Sequence, residues 1–273
     1  MHPDELRRQA ITALFSDSVI SKLVALKGGN ALRLVYGQTR TSLDIDFSLR
    51  SDFDEVSFRL HLDSSLRNHF RALGYPVVSL KVQSRPQRGP NTFGYGLELR
   101  LVEEHVYEKN KSDADKLRVL ASGCKYFVEI EFSKDEYLGS VRTVDWDIPV
   151  IVYTHEAITI EKLRALCQQL PVYEHRKKKT ARARDFYDIC AALDGGVDLF
   201  TDDCLRIARE VFSTKVVDLN LLLKLSGESE REHHRVDWKS VVDSVPAETL
   251  KSFDYYFERV GGLARDLHAH WNI

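Results

Sequence analysis

The sequence predicts an α/β fold, a mixed sheet with flanking helices followed by a helical C-terminal half, and three observations carry that prediction. Up to about residue 150, strand-like apolar runs alternate with amphipathic stretches at three–four spacing. From His155 onward only the three–four spacing persists, interrupted at Pro171, Gly195-Gly196, Ser226-Gly227 and Pro246. A chain of 273 residues, 43% of them hydrophobic, can build one large core or two ordinary ones. Domains of residues 1–150 and 151–273 are therefore expected, with a functional site in the cleft between them.

The elements follow in order. Residues 3–15 read as a helix, 23–26 as a short strand or helix end running into Gly28-Gly29, and 31–36 as a short helix. Residues 42–49 alternate as a strand. Residues 52–73 form a long amphipathic helix that either Asp52 or Asp54 can cap, and Gly74-Tyr75-Pro76 ends it. Strands are expected at 77–82, 95–102 and 126–132. The charged stretch 103–121 suits a helix or a mobile excursion.

Composition removes several function classes. No apolar stretch approaches the length of a membrane span, and the charged, amphipathic N-terminus is not a signal peptide. Cys124, Cys167, Cys190 and Cys204 are scattered without a Cys-x-x-Cys pair, which argues against zinc and disulfide frameworks and for a reduced, cytoplasmic setting. A net charge of −2 gives no global signature of nucleic-acid binding. Locally, residues 175–184 read HRKKKTARAR, a solvated loop or a contact for a triphosphate or RNA backbone.

The chemistry concentrates in residues 26–49, LKGGNALRLVYGQTRTSLDIDFSL. Asp44 and Asp46 alternate with Leu43, Ile45 and Phe47, so a strand places both carboxylates on one face, about 6–7 Å apart at Cα. Like charges on a half-buried face need a positive charge between them, and a hard cation with oxygen ligands such as Mg²⁺ meets that need. Gly28 and Gly29 allow close backbone approach ahead of a helix start, where free N–H groups suit phosphate. In YFVEIEF, Glu129 and Glu131 share a face. Either can supply a third carboxylate, unless the strand is an edge with its acids in water. Three carboxylates on two strands would hold two cations able to activate an oxygen and stabilise pyrophosphate. Lys162 and Arg164 lie in an amphipathic helix, by pattern on its solvated face. Asp185 and Asp188 open the helix after the basic run, where a capping acid is the plain reading.

Four motifs, Lys-Gly-Gly-x-Ala-Leu-Arg-Leu-x-Tyr-Gly, Leu-Asp-Ile-Asp-Phe, Glu-Lys-Leu-x-Ala-Leu and Arg-Asp-Phe-Tyr-Asp-Ile, occur in this order across residues 27–189. Together they resemble the AbiEii/AbiGii toxin family, nucleotidyltransferase-like proteins that include the MenT toxins. The resemblance implies a DNA polymerase β-like nucleotidyltransferase core and a helical C-terminal domain completing the cleft. It implies that Gly28, Gly29 and Asn30 border the nucleotide phosphates and that Asp44 and Asp46 hold Mg²⁺, with Glu129 matching the third carboxylate by strand context. Lys162 would contact the triphosphate, and Asp185, or Asp188 in its place, would be the acid of the last motif. Asn30 stands where many relatives carry Thr or Ser, so no hydroxyl is available there for phosphorylation.

The expected activity is Mg²⁺-dependent transfer of NMP from an NTP to an acceptor hydroxyl, with RNA (a tRNA 3′ end among the candidates) as acceptor and a separately encoded antitoxin as partner. Nucleotidylation of a protein or small molecule, and a non-catalytic nucleotide-binding module, are the alternatives. His233-His234 and His268-x-His270 lack companion ligands and read as surface histidines. Tyr255-Tyr256-Phe257 and Trp271 read as helix packing.

Overall fold

The computed structural model describes residues 1–50, 52–85 and 94–271. The first part of the chain runs α1 (Pro3–Ser16), β1 (Val24–Lys27), α2 (Gly28–Leu34), β2 (Asp44–Leu49), α3 (Glu55–Ala72), β3 (Val77–Arg85) and β4 (Gly94–Leu101). Then come α4 (Glu104–Asn110), α5 (Ala114–Ser122), β5 (Tyr126–Ser133), β6 (Val141–Asp145) and β7 (Pro149–Tyr153). Helices α6 (His155–Cys167), α7 (Ala183–Asp194), α8 (Asp202–Ser213), α9 (Glu228–Arg235), α10 (Trp238–Val242) and α11 (Phe253–His270) complete it.

The fold is the mixed α/β arrangement expected. Seven strands form one sheet in the order β3-β4-β5-β2-β1-β7-β6. β2 pairs parallel with β5 and antiparallel with β1, β1 pairs parallel with β7, and β4 is antiparallel to both β3 and β5. Of the two caps available to α3, Asp54 is used: its carboxylate accepts from the Ser57 N–H at 2.6 Å. The helix stops before Gly74, whose φ of +76° is left-handed. The stretch 103–121 resolves into α4 and α5. The strand β6 was not expected, because VRTVD is exposed along most of its length and carries no apolar face to read, and β7 was not expected either, although Val150, Val152 and Tyr153 are buried.

The described residues pack as two compact units. Met1–Leu34, Leu43–Glu136 and Arg142–Val152 form the first. Val35–Ser42, Tyr137–Val141 and the chain from Tyr153 onward form the second. The segment Val35–Ser42 thus leaves the first unit between α2 and β2. Within the second unit the Tyr36 hydroxyl donates to the Tyr153 carbonyl at 2.6 Å, and the Thr41 N–H donates to the Ser244 carbonyl at 3.0 Å.

In the first unit, alternation sends Ile45, Phe47, Val128, Ile130, Phe132, Leu97 and Leu99 to one face of the sheet, all buried. Phe15 of α1 meets Phe47 at 6.1 Å, and Phe58 of α3 meets Phe132 edge-on at 5.4 Å, so these two helices close that face. In the second unit Phe186 of α7 packs against Phe253 and Phe257 of α11 at 5.7 and 5.3 Å. Tyr256, Phe257 and Trp271 are buried, in keeping with helix packing, while Tyr255 is exposed. Among the described residues no helix is long and apolar enough to cross a membrane.

Candidate active site

Closing one face of the sheet leaves the alternate residues of β2, β4 and β5 on the other. The parallel register sets Asp44 beside Glu129 and Asp46 beside Glu131. The antiparallel register then sets Glu98 beside Glu129 and Gly96 beside Glu131. Asp44, Glu129 and Glu98 therefore form a row across three adjacent strands, with Asp46 and Glu131 in the next row. β5 lies inside the sheet, between β4 and β2, so its acids are not those of an edge strand.

Burial raises the affinity of Glu129 for a proton, and the hydrogen bond that protonated Glu129 donates to the Asp44 carboxylate and the charges of Asp44, Glu98 and Glu131 raise it further. Two carboxyl groups can hydrogen-bond only when one is protonated, and a cation in that place would relieve the same repulsion. The donors are all carboxylate oxygens, the set a hard cation such as Mg²⁺ prefers. Among the described residues no three His, Cys, Asp or Glu side chains gather closely enough to hold an ion. Asp44, Asp46 and Glu129 share a face, and of the two glutamates it is Glu129 that meets Asp44.

The turn from β1 into α2 is built around Asp46. Lys27 is the register partner of Asp46, and the next residue, Gly28, has a φ of +70°. A Cβ at Gly28 would lie 2.1 Å from the Asp46 Oδ2 atom, so glycine is required by both conformation and space. The Lys27 ammonium is buried and lies 3.5 Å from Glu136 Oε1. Asn30 is fully buried, and its side-chain amide donates to the Asp44 carbonyl at 2.6 Å. Its side chain thus braces the strand that carries the Asp pair.

The second unit holds a different kind of charge cluster. Asp188, 1% exposed, accepts two bonds of 2.6 Å from the Arg40 guanidinium and is 2.7 Å from Lys162 Nζ. Lys162 Nζ also donates to Asp185 at 3.0 Å, and Arg182 Nε donates to the other Asp185 oxygen. Burial alone would raise both aspartates. For Asp188 the charges of Lys162 and Arg40 outweigh it, and for Asp185 those of Arg182 and Lys162 do, holding both well below the usual carboxylate range. In turn burial would lower Lys162, and the two aspartates more than reverse that. Arg164 is buried and the Lys162 side chain is only 11% exposed, against the solvated face that the helix pattern suggested. His234 is buried as well: it accepts from the Arg182 N–H at 3.0 Å, and burial, then the charge of His233, pushes it down to about 4.

With this geometry in hand, the comparisons decide the family. The profile of the nucleotidyl transferase AbiEii toxin family of type IV toxin–antitoxin systems matches residues 9–259. The chain belongs to the AbiEii family. It is a nucleotidyltransferase, of a toxin class that acts on an NTP and has an antitoxin partner. The fold is similar to the crystal structure of JHP933 from Helicobacter pylori, with a TM-score of 0.51 and 16% identity over 98% of this chain and 91% of that one. A presumed nucleotidyltransferase from H. pylori is also similar, with a TM-score of 0.50 and 17% identity over 99% and 95% of the two chains. A search of curated proteins found no match.

Two residues of this AbiEii chain carry no role legible in the sequence, one of them the lysine that opens the first motif. Arg40 stands four positions before Asp44, and Lys27 directly before Gly28. Each could have been found as a basic residue placed against a motif. Neither carried a period that distinguishes a buried ion partner from a surface charge. In the basic run, Lys179 is occupied with the Gln168 and Tyr173 carbonyls, and Arg176 with the Lys178 carbonyl and the Thr180 hydroxyl. Lys177, Lys178 and Arg184 are exposed, and Arg184 reaches the Ser240 hydroxyl at 3.0 Å.

Proposed function

We propose that the carboxylate face of β2 and β5 is the catalytic centre of a Mg²⁺-dependent nucleotidyltransferase that transfers NMP from an NTP to an acceptor hydroxyl of RNA, a tRNA 3′ end being one such acceptor. The observation that supports it is the register that pairs Asp44 with Glu129 and Asp46 with Glu131 in a chain of this family. Asp44, Asp46 and Glu129 would hold the metal, which when bound neutralises the triphosphate and the departing pyrophosphate. Gly28 and Gly29 would border the phosphates through backbone, and Asn30 would act by fixing the Asp44 backbone rather than by touching them. The first unit is read as the nucleotidyltransferase core and the second as the helical domain.

Lys162 and Asp185 belong to this machinery by their place in the third and fourth motifs. Because Lys162 Nζ is shared by two carboxylates, a triphosphate oxygen would compete for it with Asp185, the more weakly held of the two by distance. The exposed Lys177 and Lys178 would meet the RNA backbone. The cognate antitoxin would be a separate, cytoplasmic protein, like the toxin itself.

Incubation with each labelled NTP and total RNA, followed by RNase or protease, tests the reading. Mg²⁺-dependent label removed by RNase and absent with Asp46→Ala is expected. Label retained by Asp46→Ala overturns the site, and label removed by protease overturns the acceptor.

A further inference from the structure

A cavity of about 580 Å³ lies wholly within the second unit. Its wall is the segment that follows α2, with Tyr36, Gln38 and Thr39. It is completed by His155, by Tyr187 and Asp194 of α7, and by Tyr256 of α11. That volume falls within the roughly 300–1,000 Å³ of small-molecule sites. At about 100° per residue, Tyr187, Ala191 and Asp194 share one stripe of α7, while Asp185 and Asp188 lie about 120° round the helix. The cavity is therefore not the mouth of the ion network.

The lining is aromatic and held in place. Tyr36 stacks on His155 at 4.4 Å and 18°, and the Tyr36 hydroxyl is tied to the Tyr153 carbonyl. Tyr187 packs on Tyr256 at 5.4 Å, and its hydroxyl meets that of Thr39 at 2.9 Å. Its charge offers an anion no free cation among the lining residues. The lining includes the Asp194 carboxylate and neither lysine nor arginine, and burial lowers His155 so that it stays neutral near pH 7. Arg259, which lies outside the lining, pairs with Asp194 at 2.7 Å and leaves no surplus cation for a phosphate. Aromatic rings beside hydroxyls and one carboxylate suit a flat heterocycle joined to a polyol, with the carboxylate accepting from sugar hydroxyls.

We propose that this cavity binds a nucleoside through its base and ribose, with no phosphate inside, supplied as a free nucleoside or as an unstacked base of an RNA strand. Gln38 couples the cavity to the charge network, since its side-chain amide lies 3.3 Å from the His155 ring nitrogen and donates to the Asp188 carbonyl at 3.4 Å. An occupant would thereby steady the segment that carries Arg40 and runs on into β2.

Saturation-transfer NMR on the full chain tests this, with adenosine, guanosine, cytidine and uridine and with a short single-stranded RNA as separate arms. Two variants narrow the cavity without touching the charge network. Ala191→Leu adds bulk on the α7 stripe, and Gly195→Leu does so at a helix end whose φ of −77° is ordinary, its Cβ meeting the Ala192 carbonyl oxygen at 3.3 Å. Transfer to the base and ribose protons of at least one nucleoside is expected, weakened roughly tenfold in either variant that keeps its circular dichroism. Transfer seen only in the RNA arm, and lost in the variants, assigns the strand as the source. No transfer in any arm, or transfer unchanged in both variants, or transfer abolished by NTP with Mg²⁺, overturns the proposal.

Discussion

The two charged regions of this chain are made of the same side chains and resolve their charge in opposite ways. On the sheet face, Asp44, Asp46, Glu98, Glu129 and Glu131 gather in two rows, and the neighbouring Asp44 and Glu129 share a proton. In the helical unit, Asp185 and Asp188 are more deeply buried, yet Arg40, Lys162 and Arg182 satisfy them. The sheet face is rich in acids, and the catalytic role proposed for it rests on the hard cation that such oxygen donors attract. The helical cluster holds each acid between two cations, which fixes its shape and sets the cost of drawing Lys162 toward a triphosphate.

The widest separation between the regions should appear on removing one acid from each. Asp44→Ala or Asp46→Ala should slow NMP transfer about a thousandfold or more, and with Asp44→Ala the urea midpoint should hold or rise because its repulsion with Glu129 is relieved. Pyrophosphate release and urea unfolding on the same samples check this, and a lowered midpoint with activity kept would reverse the contrast. Asp188→Ala should do the opposite to the fold. It strands the buried Arg40 guanidinium, while Lys162 keeps Asp185, and should cost about 3–5 kcal/mol, most of it recovered when Arg40→Met and Asp188→Leu are combined.

A smaller effect is expected at Gly28. Gly28→Ala meets both a left-handed φ and the Asp46 carboxylate, so a loss of about 1–3 kcal/mol should accompany a fall in kcat as Asp46 is displaced. The smallest concerns pH. His234 is held neutral with its affinity for protons pushed down to about 4, so the unfolded chain takes up the proton first. Stability should therefore be full above about pH 6.5 and decline as pH falls toward about 4. His234→Gln should flatten that part of the curve. Below it, Asp185 and Asp188 add their own loss as pH drops under the ordinary carboxylate range, since both are depressed in the fold.

Much of this was legible in the residues. Period-two alternation at Asp44, Asp46, Glu129 and Glu131 gave the faces, and the Gly-Gly turn marked a close approach whose partner proved to be Asp46. Helix signals placed α3, α6 and α7 to within a few residues. Where the reading fell short, the missing information was long-range. Lys162 sits on a helix whose pattern suggests a solvated side chain, and only its meeting with Asp185 and Asp188 takes it inside. His234 resembles any surface histidine until the Arg182 backbone donates to it. β6 has no apolar stripe because most of it faces solvent.

The sequence by itself determined the class of fold, the family, and which residues could carry metal-dependent chemistry, because these depend on local periods and on motifs a few residues long. Only the tertiary structure decided that Asp44 pairs with Glu129 rather than Glu131, that Asp188 belongs to Arg40, and that Val35–Ser42 joins the helical unit. Strand register and ion pairing bring together residues dozens to more than a hundred positions apart. No local pattern encodes which of two equally spaced acids will meet its partner.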